Sequence, residues 1–123
     1  MMPFRTCVLF IAGDWHKAKE SIDEELYYIN DSTKASDVVF EAIRRSGFDD
    51  DTCLGITIYD QETRTIIIVT RSRYPSIGTI THECLHATMD VVDRVGVKDS
   101  NHETEAYLLE GLVEECVKTV NKK

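Results

Sequence analysis

The segment THECLHATMD, Thr81 to Asp90, holds two of the chain's four histidines, with a glutamate directly after the first. On an α-helix, residues four apart differ in direction by about 40° and their Cβ atoms lie about 5–6 Å apart. His82 and His86 can therefore reach one ion. Zinc accepts imidazole nitrogens at about 2.0–2.1 Å, a distance this spacing meets with almost no backbone adjustment. Glu83 lies one position around the helix, close enough to take a proton from a metal-activated water attacking a carbonyl and pass it to the leaving amine. The blander alternative is two exposed polar side chains that only decorate a helix. The full H-E-x-x-H pattern on a predicted helix is more specific than a lone histidine pair.

A catalytic zinc site uses three protein ligands and keeps a fourth position for water. The candidates for the third lie in DSNHETEAY, namely His102, Glu103 and Glu105. A metzincin would continue H-x-x-G-x-x-H, but Met89 and Val92 stand where the glycine and the last histidine belong, so that arrangement is excluded. Glu103 is the preferred ligand. It has a competing role, because SNHE, Ser100 to Glu103, is also a capping box in which the carboxylate satisfies a backbone donor at a helix start.

HECLH followed by NHETEAY resembles the gluzincin arrangement, in which a glutamate from a later helix completes an H-E-x-x-H site. It is also similar to short phage and prophage proteins that pair H-E-x-x-H with a later E-x-x-A-Y. The likeness spans about residues 64–117. It implies His82, His86 and Glu103 as metal ligands, Glu83 as the base, and a hairpin strand ahead of the active helix whose edge can pair with an extended peptide. The chain departs from the gluzincin pattern at His102, where asparagine is usual, and at Tyr107, where aspartate is usual.

Two further residues are candidates for support. Asp90 follows His86 by one turn, so its carboxylate could orient a ligand imidazole through the other ring nitrogen, or be an exposed helix acid. Tyr107 could point its hydroxyl at a developing oxyanion, or be a half-buried core tyrosine. His16, among the charges of DWHKAKE, reads as a surface residue.

The elements that must position these groups follow from periodicity. TCVLFIA, residues 6–12, is a short apolar run and predicts a buried strand. Trp15, Ala18, Ile22, Leu26 and Ile29 repeat at helical spacing behind Asp14, a potential cap. SDVVFEAIRRSG predicts a second helix with Ser36 as cap, Arg44 and Arg45 in the last turn and Gly47 beyond it. The β-branched runs near 53–59 and 64–71 predict a hairpin. Ser76 can cap a helix from about Ile77 to Arg94, with Cys84, Leu85, Thr88, Met89 and Val92 supplying its core side. A last helix covers roughly 102–120. The order βααββαα predicts one α+β domain over residues 1–123, a minimal zincin-like layer of small sheet against helices.

Composition narrows the function. Lys plus Arg total 14 against 22 Asp plus Glu, for a formal charge of -8. Phosphate backbones and anionic membranes are repelled by such a surface, which argues against nucleic-acid or membrane binding. Arg71 to Pro75, RSRYP, is the locally basic stretch and reads as a solvated strand end. The four cysteines show no C-x-x-C spacing. Cys7 to Gly13 is too short and lacks the cleavage-site pattern of a leader. Reduced, mostly buried thiols and the cytosol are therefore expected, the host cytosol if the gene is phage-borne. The expected activity is zinc-dependent hydrolysis of a peptide or protein substrate. The alternative, from a different class, is a non-catalytic protein that keeps the metal as a structural pin and binds a host or phage partner.

Overall fold

A computed structural model describes residues 7–26, 34–50, 52–61, 64–95 and 102–121. The elements are β1 (Cys7–Ala12), a 3₁₀ turn (Trp15–Ala18), α1 (Lys19–Glu25), α2 (Ala35–Arg45), a 3₁₀ turn (Phe48–Asp50), β2 (Gly55–Asp60), β3 (Thr65–Thr70), α3 (Ile77–Val95) and α4 (His102–Asn121). The fold is α+β, with a small mixed sheet and the predicted element order.

The sheet order is β1-β3-β2, with β1 parallel and β2 antiparallel to the central strand. β3 reads TIIIVT, and every one of its residues is buried. A strand covered on both faces needs apolar β-branched residues throughout, whereas a half-covered strand alternates. Register then sorts the side chains. Leu9, Ile11, Ile56, Ile58, Ile67 and Val69 join Trp15, Ile22, Val39 and Ile43 in one core on the side of α1 and α2. Val8, Phe10, Tyr59, Ile66 and Ile68 join Ile80, Cys84, Ala87 and Cys116 in a second core on the side of α3 and α4. Helices thus cover both faces.

Local signals account for most boundaries. Asp14 caps the first 3₁₀ turn by accepting from the His16 N–H at 3.0 Å. Gly47 adopts φ 75° just past α2, the left-handed conformation that lets its N–H return to the Arg44 carbonyl at 3.1 Å. Ser76 caps α3 by accepting from the Thr79 N–H at 3.1 Å.

Three expectations need correction. Ser36 is not the cap of α2; Lys34 occupies that position, and Ser36 is fully buried within the helix. Its N–H and hydroxyl donate to the Asp23 carboxylate at 2.9 and 3.0 Å, because a buried hydroxyl must find a partner and α1 supplies one. Leu85 and Met89 do not face the core; they are 47% and 56% exposed, while Ile80, Cys84, Ala87 and Thr88 form the packed side of α3. The first predicted helix opens as a 3₁₀ turn and is described only to Glu25 and Leu26, so Ile29 lies outside the described residues.

Among the described residues, no helix is long and apolar enough to cross a membrane.

Candidate metal and hydrolytic site

α3 carries His82 and His86 on its solvent face, one turn apart. Their Nε2 atoms lie 3.3 Å from each other, with ring centroids at 4.8 Å and planes inclined by 76°. Two ligand nitrogens held at about 2.05 Å from a tetrahedral ion stand about 3.3 Å apart, from the chord of a near-109° angle. The two imidazoles already have that separation.

Glu83 turns the other way, into the seam between α3 and β2. It is 5% exposed, and its Oε1 accepts from the Thr57 hydroxyl at 2.7 Å. The same hydroxyl lies 3.0 Å from the Glu83 carbonyl, so Thr57 fixes both the side chain and the backbone of this residue. A buried carboxylate without a donor would be costly; Thr57 removes part of that cost.

β2 and α3 run side by side, and the period of two on the strand decides what meets the helix. Gly55, Thr57 and Tyr59 share the face toward α3. Gly55 packs against Glu83 so closely that a Cβ there would sit 3.1 Å from its Cγ and 3.2 Å from its Oε2. Glycine is what permits that approach. Tyr59 lies under Arg94, whose guanidinium carbon is 3.3 Å from the ring centroid. The strand is held to the preceding loop by Arg71, which donates to the carbonyls of Cys53 at 2.9 Å and Phe48 at 2.6 Å. That arginine, read from sequence as a solvated strand end, is a brace for the segment leading into Gly55.

Two open cavities flank the pair, and His82 and Glu83 line both. One, of about 470 Å³, extends past Gly55 to Leu54, Ser76 and Thr79. The other, of about 520 Å³, extends past Thr57 and His86 to Met89, Asp90 and Asp93. The two aspartates add negative charge to the second wall, which favours a cation. Asp90 also faces Arg94 at 3.7 Å, one turn along the helix.

The residues singled out from sequence divide as follows. His82, Glu83, His86 and Asp90 come together on α3 and in the cleft beside β2. His102 and Glu103 belong to the first turn of α4, but their side chains lie outside the described residues, as does Ser100 of the expected capping box. Glu105 is half-buried on α4. Tyr107 is 67% exposed, so the half-buried core position expected for it is not what the structure shows, and it lines neither cavity. Among the described residues, no three His, Cys, Asp or Glu side chains converge as a complete metal-binding group. His16 is exposed, stacked on Trp15 at 3.7 Å between centroids and bonded to Asp14 at 2.9 Å.

Sequence reasoning missed Gly55 and Thr57. The available signal was a glycine at the head of a β-branched strand, which marks a close approach by another group. Thr57 had no signal, since threonine is an ordinary strand residue.

No protein-family model, curated protein or solved structure matches this chain.

Proposed function

We propose that this chain is a compact zinc-dependent peptidase of gluzincin-like type, with His82, His86 and Glu103 as ligands of Zn2+ and Glu83 as general base. The observation that carries the reading is the 3.3 Å between the facing Nε2 atoms, the separation that two ligands of one tetrahedral ion require. Bound zinc would supply Lewis acidity for a peptide carbonyl and lower the pKa of a water.

The chain's own residues do the rest. Glu83 Oε1 is engaged by Thr57, which leaves Oε2 as the basic atom that takes the proton of the attacking water and delivers it to the leaving amine. Gly55 lets β2 approach the Oε2 side of Glu83 with no side chain of its own in the way. Thr57 acts as a positioning residue, holding the carboxylate on the cleft side of β2. Among the described residues β2 is the edge strand of the sheet, and an extended peptide could pair along it. Thiols rather than a disulfide at Cys84 and Cys116 fit a reducing compartment, so the reading puts the protein in the cytosol.

Metal analysis of the purified protein tests the site. Near-stoichiometric zinc is expected, with loss in His82→Ala and in His86→Ala; a wild-type protein free of zinc overturns the reading. Glu83→Gln is expected to keep the metal and lose at least about 10²–10⁴-fold of the peptide cleavage.

The second reading, a metal-pinned protein that binds a host or phage partner, draws on the apolar residues left exposed around the pair. Leu54 and Met89, at the ends of the two cavities, are 67% and 56% exposed. Peptide mass spectrometry of denatured host lysate, with and without chelator, separates the two. Bound zinc without any chelator-sensitive cleavage favours the binding role.

A further inference from the structure

Behind the histidine face, on the packed side of α3, Cys84 meets Cys116 of α4. Their sulfurs are 3.6 Å apart, and the residues are 0% and 3% exposed. Around them are Ile66, Ile68, Ile80 and Ala87, while the Thr88 hydroxyl donates to the Cys84 carbonyl at 2.8 Å rather than to a sulfur. Thiols pack as small hydrophobes, so burial alone would explain one cysteine here. It does not explain two sulfurs in direct contact across a helix pair, thirty-two positions apart in the chain. A disulfide needs about 2.05 Å between sulfurs, so roughly 1.5 Å of approach closes the bond. Closing that gap is the movement the bond requires of the two side chains.

The pair is reachable. A cavity of about 290 Å³, lined by Val8, Phe10, Leu112, Glu115, Cys116 and Thr119, opens onto the Cys116 side of the contact. That space admits a molecule the size of hydrogen peroxide.

We infer that Cys84 and Cys116 are an oxidative modification site, closed by peroxide into a disulfide that staples α4 to α3. One sulfur takes an oxygen from the peroxide as a sulfenic acid while the O–O bond breaks and water leaves. The second sulfur then attacks the first, the S–S bond forms, and the sulfenic oxygen departs as a second water. Two thiols are oxidised by two electrons, and the peroxide is reduced to two waters. A thiol reductant reverses the bond through mixed-disulfide exchange. The inference does not depend on zinc or on peptidase activity, because the thiols lie on the opposite side of α3 from His82 and His86.

The bond links two helices distant in sequence, so it removes entropy from the unfolded chain and stabilises the native one. The test uses the full-length reduced protein treated with a small excess of hydrogen peroxide. Intact mass is expected to fall by about 2 Da, reversibly with dithiothreitol. Non-reducing peptide mapping should join the peptides of Cys84 and Cys116. The melting temperature should rise by roughly 5–15 °C. Cys53→Ala should keep the cross-link and the shift, and Cys116→Ala should lose both. Wild-type mapping decides the question even if Cys116→Ala fails to fold. Recovery of Cys84 and Cys116 as alkylatable thiols after unfolding, while Cys7 or Cys53 is oxidised, overturns the inference. So does a cross-linked protein that melts lower than the reduced one.

Discussion

On the α1–α2 side of the sheet, Trp15, Ile22, Val39, Ile43 and Ile67 are all at most 2% exposed. On the opposite side α3 buries Cys84 and Ala87 completely, yet leaves Leu85 and Met89 about half exposed along its outer stripe. The first face is closed by two short helices that turn Ile22, Val39 and Ile43 fully inward. The second is covered by two long helices, and one of them presents a full outer row to solvent. Packing on one face supplies stability that the other then need not provide, so the outer row of α3 is free to carry imidazoles. Glu83 stands at the boundary, buried like a core residue yet lining the same two cavities as His82.

The sharpest way to break this contrast is to cut each face separately. Ile43→Ala is expected to lower unfolding free energy by about 2–5 kcal/mol, from lost transfer energy and the cavity left behind. The variant that remains folded should bind zinc as before. His86→Ala, assayed with chelator present, should change stability by no more than about 0.5 kcal/mol, because the residue is exposed and outside the core. Urea titration of both proteins checks the pair. A loss above about 2 kcal/mol in metal-free His86→Ala would show that the outer row carries packing after all.

How far the sequence anticipated this division depends on the range of the interaction. Strands, hairpin, the Ser76 cap and the H-E-x-x-H helix were legible because periodicity, β-branching and capping are properties of neighbouring residues. Even the fully buried β3 was visible as an unbroken run of β-branched residues. The misreadings concern partners distant in the chain. Ser36 looks like a cap until Asp23 is seen to come from another helix. Leu85 and Met89 look like core because apolarity does not say which side of an amphipathic helix has a neighbour. Thr57 is silent for the same reason: its role exists only because β2 passes beside Glu83. Of the candidate site, His82, Glu83 and His86 were singled out by spacing, while Gly55 and Thr57, which meet Glu83 from β2, were not.

Gly55→Ala sharpens the contrast from the functional side. The added methyl would stand 3.1 Å from Glu83 Cγ and 3.2 Å from both Oε2 and the Val69 carbonyl oxygen. Backbone cannot yield easily, so the carboxylate moves by a few tenths of an ångström or changes rotamer. On the peptidase reading, cleavage falls by about 10–100-fold, since small misplacement of a catalytic group is costly. Zinc content should change little, while the melting temperature should fall somewhat because the methyl also crowds the Val69 carbonyl oxygen. Unaltered cleavage would mean that Glu83 does not work from its present position, and loss of zinc would mean that β2 shapes the histidine pair as well.

A smaller effect than that of Ile43→Ala is expected elsewhere on the packing face, where Asp23 joins α1 to α2. Burial pushes its carboxyl pKa up, but the Ser36 N–H and hydroxyl bonds, helped by Lys19 and Lys34, outweigh that and hold it below the ordinary aspartate value. A group whose folded pKa is depressed adds stability above its unfolded pKa, about 3.9, and loses it as pH falls through the folded value. Asp23→Asn cannot titrate and can accept through only one oxygen, so it should cost about 1 kcal/mol at pH 7. The gap between wild type and variant should then narrow below about pH 4, because protonation removes from the wild type what the substitution has already removed. Urea midpoints measured from pH 7 down to about pH 2.5 read this directly. A gap that stays constant over that range would assign the effect of Asp23 to shape and neutral hydrogen bonding, and the two faces would then differ in packing density alone.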